Sequence, residues 1–221
     1  MLKPFYNTQP SDVIEIGVDE AGRGPMFGPV CAAAVILPKT DSFNFSCLKD
    51  SKRFHSKKKI KEVSEYIKQN AVDYHIEFCN ELIIDTINIR NATHTAMHKA
   101  IRKVIASNNN SLSNYQLLID GSDFKPYMVF NNNMLSQVKH TCITKGDNTY
   151  CAIAAASILA KTARDDYIEE LCEANPELDE RYHISSNKGY GTKDHLQGIH
   201  TYGITKFHRK SFGLCKTMNA V

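Results

Sequence analysis

The stretch that decides the fold runs from Ile14 to Leu37 and reads IEIGVDEAGRGPMFGPVCAAAVIL. An apolar run climbs to two adjacent acids, Asp19 and Glu20. The chain then breaks on Gly22, Gly24, Pro25, Gly28 and Pro29, and a second apolar run, Val30 to Leu37, follows at once. Two strands joined by a stiff glycine–proline corner are the simplest reading. Successive strand residues face opposite sides of a sheet, so the two acids share one site only if the strand ends there and the backbone bends. The Ala21-Gly22 step is expected to supply that bend. Adjacent carboxylates repel each other, and a divalent cation relieves the repulsion. A lone Asp-Glu pair is commonly a solvated turn, but the apolar residues before this one set it at the mouth of a core strand.

Two further acids share that setting. The short apolar strand predicted from Tyr115 to Ile119 ends in Asp120-Gly121, and a strand predicted from Gln137 to Thr144 runs into Lys145-Gly146-Asp147. Strands of one sheet can bring such ends together. Four carboxylates match the charge of two divalent cations, and oxygen-only ligands suit Mg²⁺ or Mn²⁺ better than zinc. Two such ions can clamp a phosphodiester, one activating water and the other stabilising the leaving oxygen. Taken singly, each acid reads equally well as a turn or cap residue.

Between these points the pattern alternates. A polar link, Lys39 to His55, leads to a helix over Ser56 to Asn70 with Ile60, Val63 and Ile67 on one face. Val72 to Phe78 alternates like a half-exposed strand. A short helix from Asn80 to Thr86 and a longer one from Asn88 to Ser107 follow. Phe124 to Asn133 reads as a loop. Tyr150 to about Ala174 reads as a helix whose first half, CAIAAASILAK, is rich in small apolar residues. Ser185 to Lys193 is a polar loop, and a last helix is predicted over Thr192 to Tyr202, stopped by Gly203.

Composition narrows the class. The chain has 221 residues, 42% hydrophobic and 23% charged, enough for one globular core. No apolar run exceeds eight residues, far short of the roughly 20 that span a bilayer. Residues 1–12 lack the apolar core of a secretion signal. Seven cysteines without a C-x-x-C pair read as reduced, buried hydrophobes, which points to the cytoplasm. The net charge of +3 names no partner by itself. Its distribution is more informative: Lys49, Lys52, Arg53, Lys57, Lys58, Lys59 and Lys61 crowd one segment, and Lys206, Arg209 and Lys210 crowd another beside Phe207 and Phe212. Both segments fit either a phosphate-binding patch or a solvated face.

GVDEAGRGP, followed by FGP, resembles the signature of ribonuclease HII, the type 2 ribonuclease H. Arg23 favours type II over the sister type III enzymes. The resemblance runs from about Ile14 to Gly203. It implies an α/β fold, a ribonuclease H-like mixed β-sheet flanked by helices with a mostly helical C-terminal region. A single catalytic domain over 1–221 is expected, with a core of about 13–175 and a substrate-contacting part of about 176–221. The implied activity is metal-dependent hydrolysis, with Mn²⁺ or Mg²⁺, of the RNA strand of RNA–DNA hybrids. It includes cutting 5′ of ribonucleotides embedded in duplex DNA, in replication and repair. Asp19, Glu20, Asp120 and Asp147 match the metal-binding catalytic acids. Gly22, Arg23, Gly24 and Tyr190 match the ribose-reading residues, since glycines let the backbone approach a sugar and only the 2′-hydroxyl separates RNA from DNA. Lys52 and Lys161 match lysines near the phosphates, with Ser51 and Thr192 as possible aids. Asp165 is expected to be structural, paired with a nearby Arg or Lys. A monomer is expected. Ala154 and Thr162 depart from the pattern without touching a proposed ligand.

Three other readings compete. Gly22, Gly24 and Gly28 form G-x-G-x-x-x-G, one residue too long for a dinucleotide loop, and the acids would repel a pyrophosphate. His94 and His98 have zinc-protease spacing but lack the intervening glutamate. A non-catalytic nucleic-acid-binding module explains the basic segments but not four acids among them.

Overall fold

The computed structural model describes residues 2–7, 12–40, 43–49, 51, 54, 56–108, 110–131 and 134–218. Strand β1, Ile14–Ala21, and strand β2, Val30–Ile36, form the predicted pair around the corner, antiparallel, with Gly17 opposite Val35 and Ala21 opposite Cys31. Helix α1, Lys57–Asn70, starts on Ser56, whose hydroxyl accepts the Lys59 N–H, a favoured N-cap arrangement. Strand β3, Asp73–Cys79, pairs antiparallel with β2. Helix α2, Glu81–Asn108, is broken at Asn88, where φ is 66° and ψ 164°. The Asn88 side chain accepts the Asn91 N–H at 3.0 Å and so caps the second segment. The two helices predicted on either side of Asn88 are therefore both present.

Strand β4, Tyr115–Asp120, lies parallel to β1 with Val18 opposite Ile119. The loop predicted over Phe124 to Asn133 is instead half hairpin: β5, Met128–Asn131, pairs antiparallel with β6, Met134–Gln137. Apolar residues on both sides of an asparagine run are the signal that was available. Gln137 thus belongs to β6. The next strand, β7, starts two residues later at Lys139–Ile143 and runs parallel to β4.

The sheet order is β3-β2-β1-β4-β7. One face, with Ile16, Val18, Ala32, Ala34, Leu117 and Ile119, packs against α2. The other, with Cys31, Ala33 and Val35, packs against α1 and against α3, Cys151–Ala174. Every residue of α3 from Cys151 to Ala160 is buried, as its run of small residues predicts. The mixed sheet with helices on both faces is the expected fold. The C-terminal region is helical: α4, Glu177–Tyr182, α5, Ile184–Asn187, and α6, Lys193–Tyr202. Helix α5 occupies part of the predicted loop over 185–193. Among the described residues no helix is long and apolar enough to cross a membrane. All seven cysteines are unpaired.

Candidate active site

The side chains that matter gather where β1, β4 and β7 finish. One cavity is lined by Asp19, Glu20, Asp120 and Asp147 together with Gly22, Arg23, Gly24, Ser51, Lys161, Asp165 and Tyr190. The sheet register explains the meeting. Asp19 stands one step beyond the Val18–Ile119 pair and therefore beside Asp120 on the neighbouring parallel strand. Asp120 in turn is opposite Ile143 of β7, three residues before the turn Gly146–Asn148 that carries Asp147.

The bend falls at Ala21-Gly22 as predicted, where Gly22 takes φ 90°, but the strand does not end at the acids. Strand β1 continues through Ala21, so Asp19 and Glu20 do face opposite sides of the sheet. They share a cavity because it wraps the end of the sheet, taking Asp19 from the α3 side and Glu20 from the α2 side.

Backbone donors hold the acids. Asp19 Oδ1 accepts the Glu20 N–H at 2.7 Å. Asp120 Oδ1 accepts the Gly146 N–H at 2.7 Å and the Asp147 N–H at 3.4 Å, so one acid anchors the turn that presents another. Glu20 Oε1 is 3.4 Å from Arg23 Nη1. Burial, reinforced by the Glu20 and Asp120 carboxylates, pushes the Asp19 carboxyl well above the usual carboxylate range, against the pull of its hydrogen bonds from Ser157 and from the Glu20 N–H. Among the described residues no three His, Cys, Asp or Glu side chains are grouped closely enough to hold a metal ion by themselves. The donor chemistry still fits a hard divalent cation: the lining holds carboxylates and hydroxyls but neither cysteine nor histidine. A cation there would also offset the mutual repulsion that burdens Asp19.

The other predicted residues fall as follows. The Tyr190 ring, half exposed, stands over Gly24, where a Cβ would come within 3.3 Å of it. Lys161 lines the cavity but is ion-paired with Asp165, the structural partner expected for that acid. Ser51 is buried and shares a hydrogen bond of 3.0 Å with Ser157. Thr192 is the N-cap of α6, its hydroxyl accepting the His195 N–H. Lys52 and Arg53 lie outside the described residues. Lys57 and Lys61 of the first basic segment are paired with Glu169 and Asp166, and Lys59 with Glu62.

The second basic segment is not a continuous patch. Arg209 is fully buried, and its guanidinium, like that of Arg164 on α3, binds main-chain carbonyls of the corner. Sequence reasoning missed both arginines. The available signal was indirect: a corner built from glycine and proline leaves carbonyls that something must satisfy. It also missed a buried histidine pair, His195 Nε2 and His208 Nε2 at 3.1 Å, with His195 Nδ1 2.9 Å from Tyr190 O.

Solved structures with this architecture define the class. The ribonuclease H2 of Pyrococcus horikoshii superposes with a TM-score of 0.70 at 20% identity, covering 92% of this chain and 95% of that one. RNase HII in the PCNA:RNase HII complex from Archaeoglobus fulgidus gives 0.65 at 21%, covering 91% and 96%. Bst-RNase HIII in complex with Mn²⁺ gives 0.63 at 18%, covering 86% and 70%. The fold is therefore ribonuclease H-like. Sequence relatives are closer: ribonuclease HII of Cytophaga hutchinsonii is 44% identical over 199 residues, 90% of this chain and 89% of the relative. That of Parabacteroides distasonis is 44% identical over 214 residues, 97% and 96%. The family model for ribonuclease HII matches residues 16–215. The chain belongs to the ribonuclease HII family and is an endoribonuclease, a phosphodiester hydrolase.

Proposed function

We propose that the protein hydrolyses the RNA strand of RNA–DNA hybrids and cuts 5′ of single ribonucleotides in duplex DNA, leaving 3′-hydroxyl and 5′-phosphate ends. The observation that carries this reading is the placement of four strand-end acids, a glycine corner and Tyr190 on one cavity. Asp19, Glu20, Asp120 and Asp147 hold two divalent ions, Mn²⁺ or Mg²⁺. When bound, those ions supply an activated water and stabilise charge on the leaving oxygen. The Gly146 and Asp147 N–H groups fix Asp120 in place, and Ser157 orients Asp19. Gly22, Arg23 and Gly24 present backbone to the ribose, and the Tyr190 ring packs on its sugar. Lys161 binds a flanking phosphate, exchanging its bond to Asp165 for one to substrate, and Lys52 is assigned the same role from the sequence alone. The whole chain acts as one monomeric catalytic unit in the cytoplasm, clearing ribonucleotides during replication and repair.

A duplex with one ribonucleotide, incubated with Mg²⁺ or Mn²⁺, tests the reading. A single cut 5′ of the ribonucleotide with 3′-hydroxyl and 5′-phosphate ends is expected. A 2′,3′-cyclic phosphate would rule out the two-ion scheme, and tight binding without cleavage would favour a non-catalytic binding module.

A further inference from the structure

Arg209 reaches the corner from the far end of the sequence. Its Nε donates to Gly28 O at 2.8 Å, Nη1 to Pro25 O at 2.7 Å and Arg23 O at 3.1 Å, and Nη2 to Gly22 O at 2.6 Å. Its own backbone joins in: the Arg209 N–H donates to Met26 O at 2.8 Å, and Gly28 N–H to Phe207 O at 3.0 Å. Arg164 takes the other flank, donating to Phe27 O, Pro29 O and Lys188 O. The fit is mutual. Gly22 has φ 90°, and a Cβ on it would stand 2.1 Å from Arg164 Nε. Burial and the neighbouring Arg164 push the Arg209 guanidinium down to about 9, which leaves it charged at neutral pH, and charged donors make the stronger bonds to carbonyls.

These bonds dictate where the corner's amides point. Every peptide here is trans, and in a trans peptide the carbonyl of one residue and the N–H of the next face opposite ways. Drawing Gly22 O and Arg23 O onto Arg209 turns the Arg23 and Gly24 N–H groups away from it, and both residues line the cavity. Neither N–H has an acceptor among the described residues. Two neighbouring backbone N–H groups facing one cavity make a receptor for an oxygen atom.

We propose that Arg209 is a positioning residue for ribose recognition: by gripping four carbonyls of the corner it presets the Arg23 and Gly24 N–H groups to receive the 2′-oxygen of the ribonucleotide. This rests on the reading of Gly22–Gly24 as the ribose-contacting element. Arg209 is fully buried and touches no substrate itself. Lysine keeps the charge but concentrates its donors on one nitrogen, so it cannot span four carbonyls.

The test is Arg209→Lys, read as a ratio of affinities rather than as turnover. Fluorescence anisotropy in EDTA compares a duplex carrying one ribonucleotide with the same all-DNA duplex. The wild type should prefer the former, and Arg209→Lys should lose about tenfold of that preference, the worth of one or two hydrogen bonds, with all-DNA affinity unchanged. Val104→Ala, a core truncation on α2, should lower the melting temperature without moving the ratio. Should Arg209→Lys not fold, the wild-type amide resonances of Arg23 and Gly24 decide: they should shift with the ribonucleotide duplex and not with the all-DNA one. A preference retained by folded Arg209→Lys overturns the inference alone, whereas the absence of that selective shift in the wild type overturns the ribose reading of the corner as well. A wild type with no preference overturns the ribose reading of the corner, and this inference with it.

Discussion

Strand β1 buries a carboxylate at each end, and the two are treated oppositely. Glu15, 5% exposed, accepts N–H groups from Tyr6 at 3.0 Å and Asn7 at 2.7 Å, and the Asn7 amide at 3.1 Å. Asp19, 4% exposed, has the Glu20 N–H and the Ser157 hydroxyl on its side but two further carboxylates against it. Burial is the same at both ends; compensation is not. A buried acid with its donors in place is a structural tie, whereas one crowded by like charge is pushed toward its neutral form, a strain that a bound cation would relieve.

The largest effect that would test this contrast is Asp120→Asn. Asparagine Oδ1 can still accept the Gly146 N–H, so the fold should persist, and the metal-free melting temperature should hold or rise. Cleavage with Mg²⁺ or Mn²⁺ should fall by roughly three orders of magnitude; near-normal turnover would remove Asp120 from the site. At the other end Glu15→Ala should do the reverse. It strands the Tyr6 and Asn7 donors and should cost about 2–3 kcal/mol in denaturant unfolding, with kcat for the remaining folded enzyme unchanged. A fall in kcat there would break the division between the two ends. Tyr190→Ala should be milder, a loss of about tenfold in cleavage at a single embedded ribonucleotide, with little change in melting because the ring is half exposed. Equal rates for variant and wild type would return Tyr190 to the status of a loop residue.

The smallest effect concerns acid. Burial and the neighbouring His195 hold His208 down to about 3, below its ordinary 6.5, so the native state keeps it neutral while the unfolded chain takes up a proton. Its contribution to stability is fully present above pH 6.5 and is lost as pH falls toward 3, by at most ~1.4 kcal/mol per pH unit. The protection factors of the His208 and Arg209 amides, corrected for the intrinsic pH dependence of exchange, should fall between pH 6.5 and 5, while those of Ile16 and Val18 in β1 hold. A uniform fall would mean that the site end and the foot of the strand do not open separately.

Much of this was legible in the sequence because it is local. The apolar runs on either side of the corner, the small residues of α3 and the break at Asn88 each declare themselves within a few positions. The acids were legible as a set because each ends an apolar run. What escaped is non-local. That Asp19 and Glu20 still lie within a continuing strand depends on how the cavity wraps the sheet end, which no periodicity encodes. Arg209 looked like its neighbours Lys206 and Lys210, since a single sequence does not distinguish a guanidinium facing solvent from one facing carbonyls. The hairpin of β5 and β6 was passed over because its asparagine run resembles a plain loop.

The bonds from Arg209 to Gly22, Arg23, Pro25 and Gly28 span 181 to 187 positions of chain. During synthesis the ribosome therefore delivers the acids and the corner long before the residue that locks the corner. Contacts of such long range form late, after the loop they close has been gathered in. If Arg209 presets the ribose site as proposed, a nascent chain would fold its sheet before that site is set.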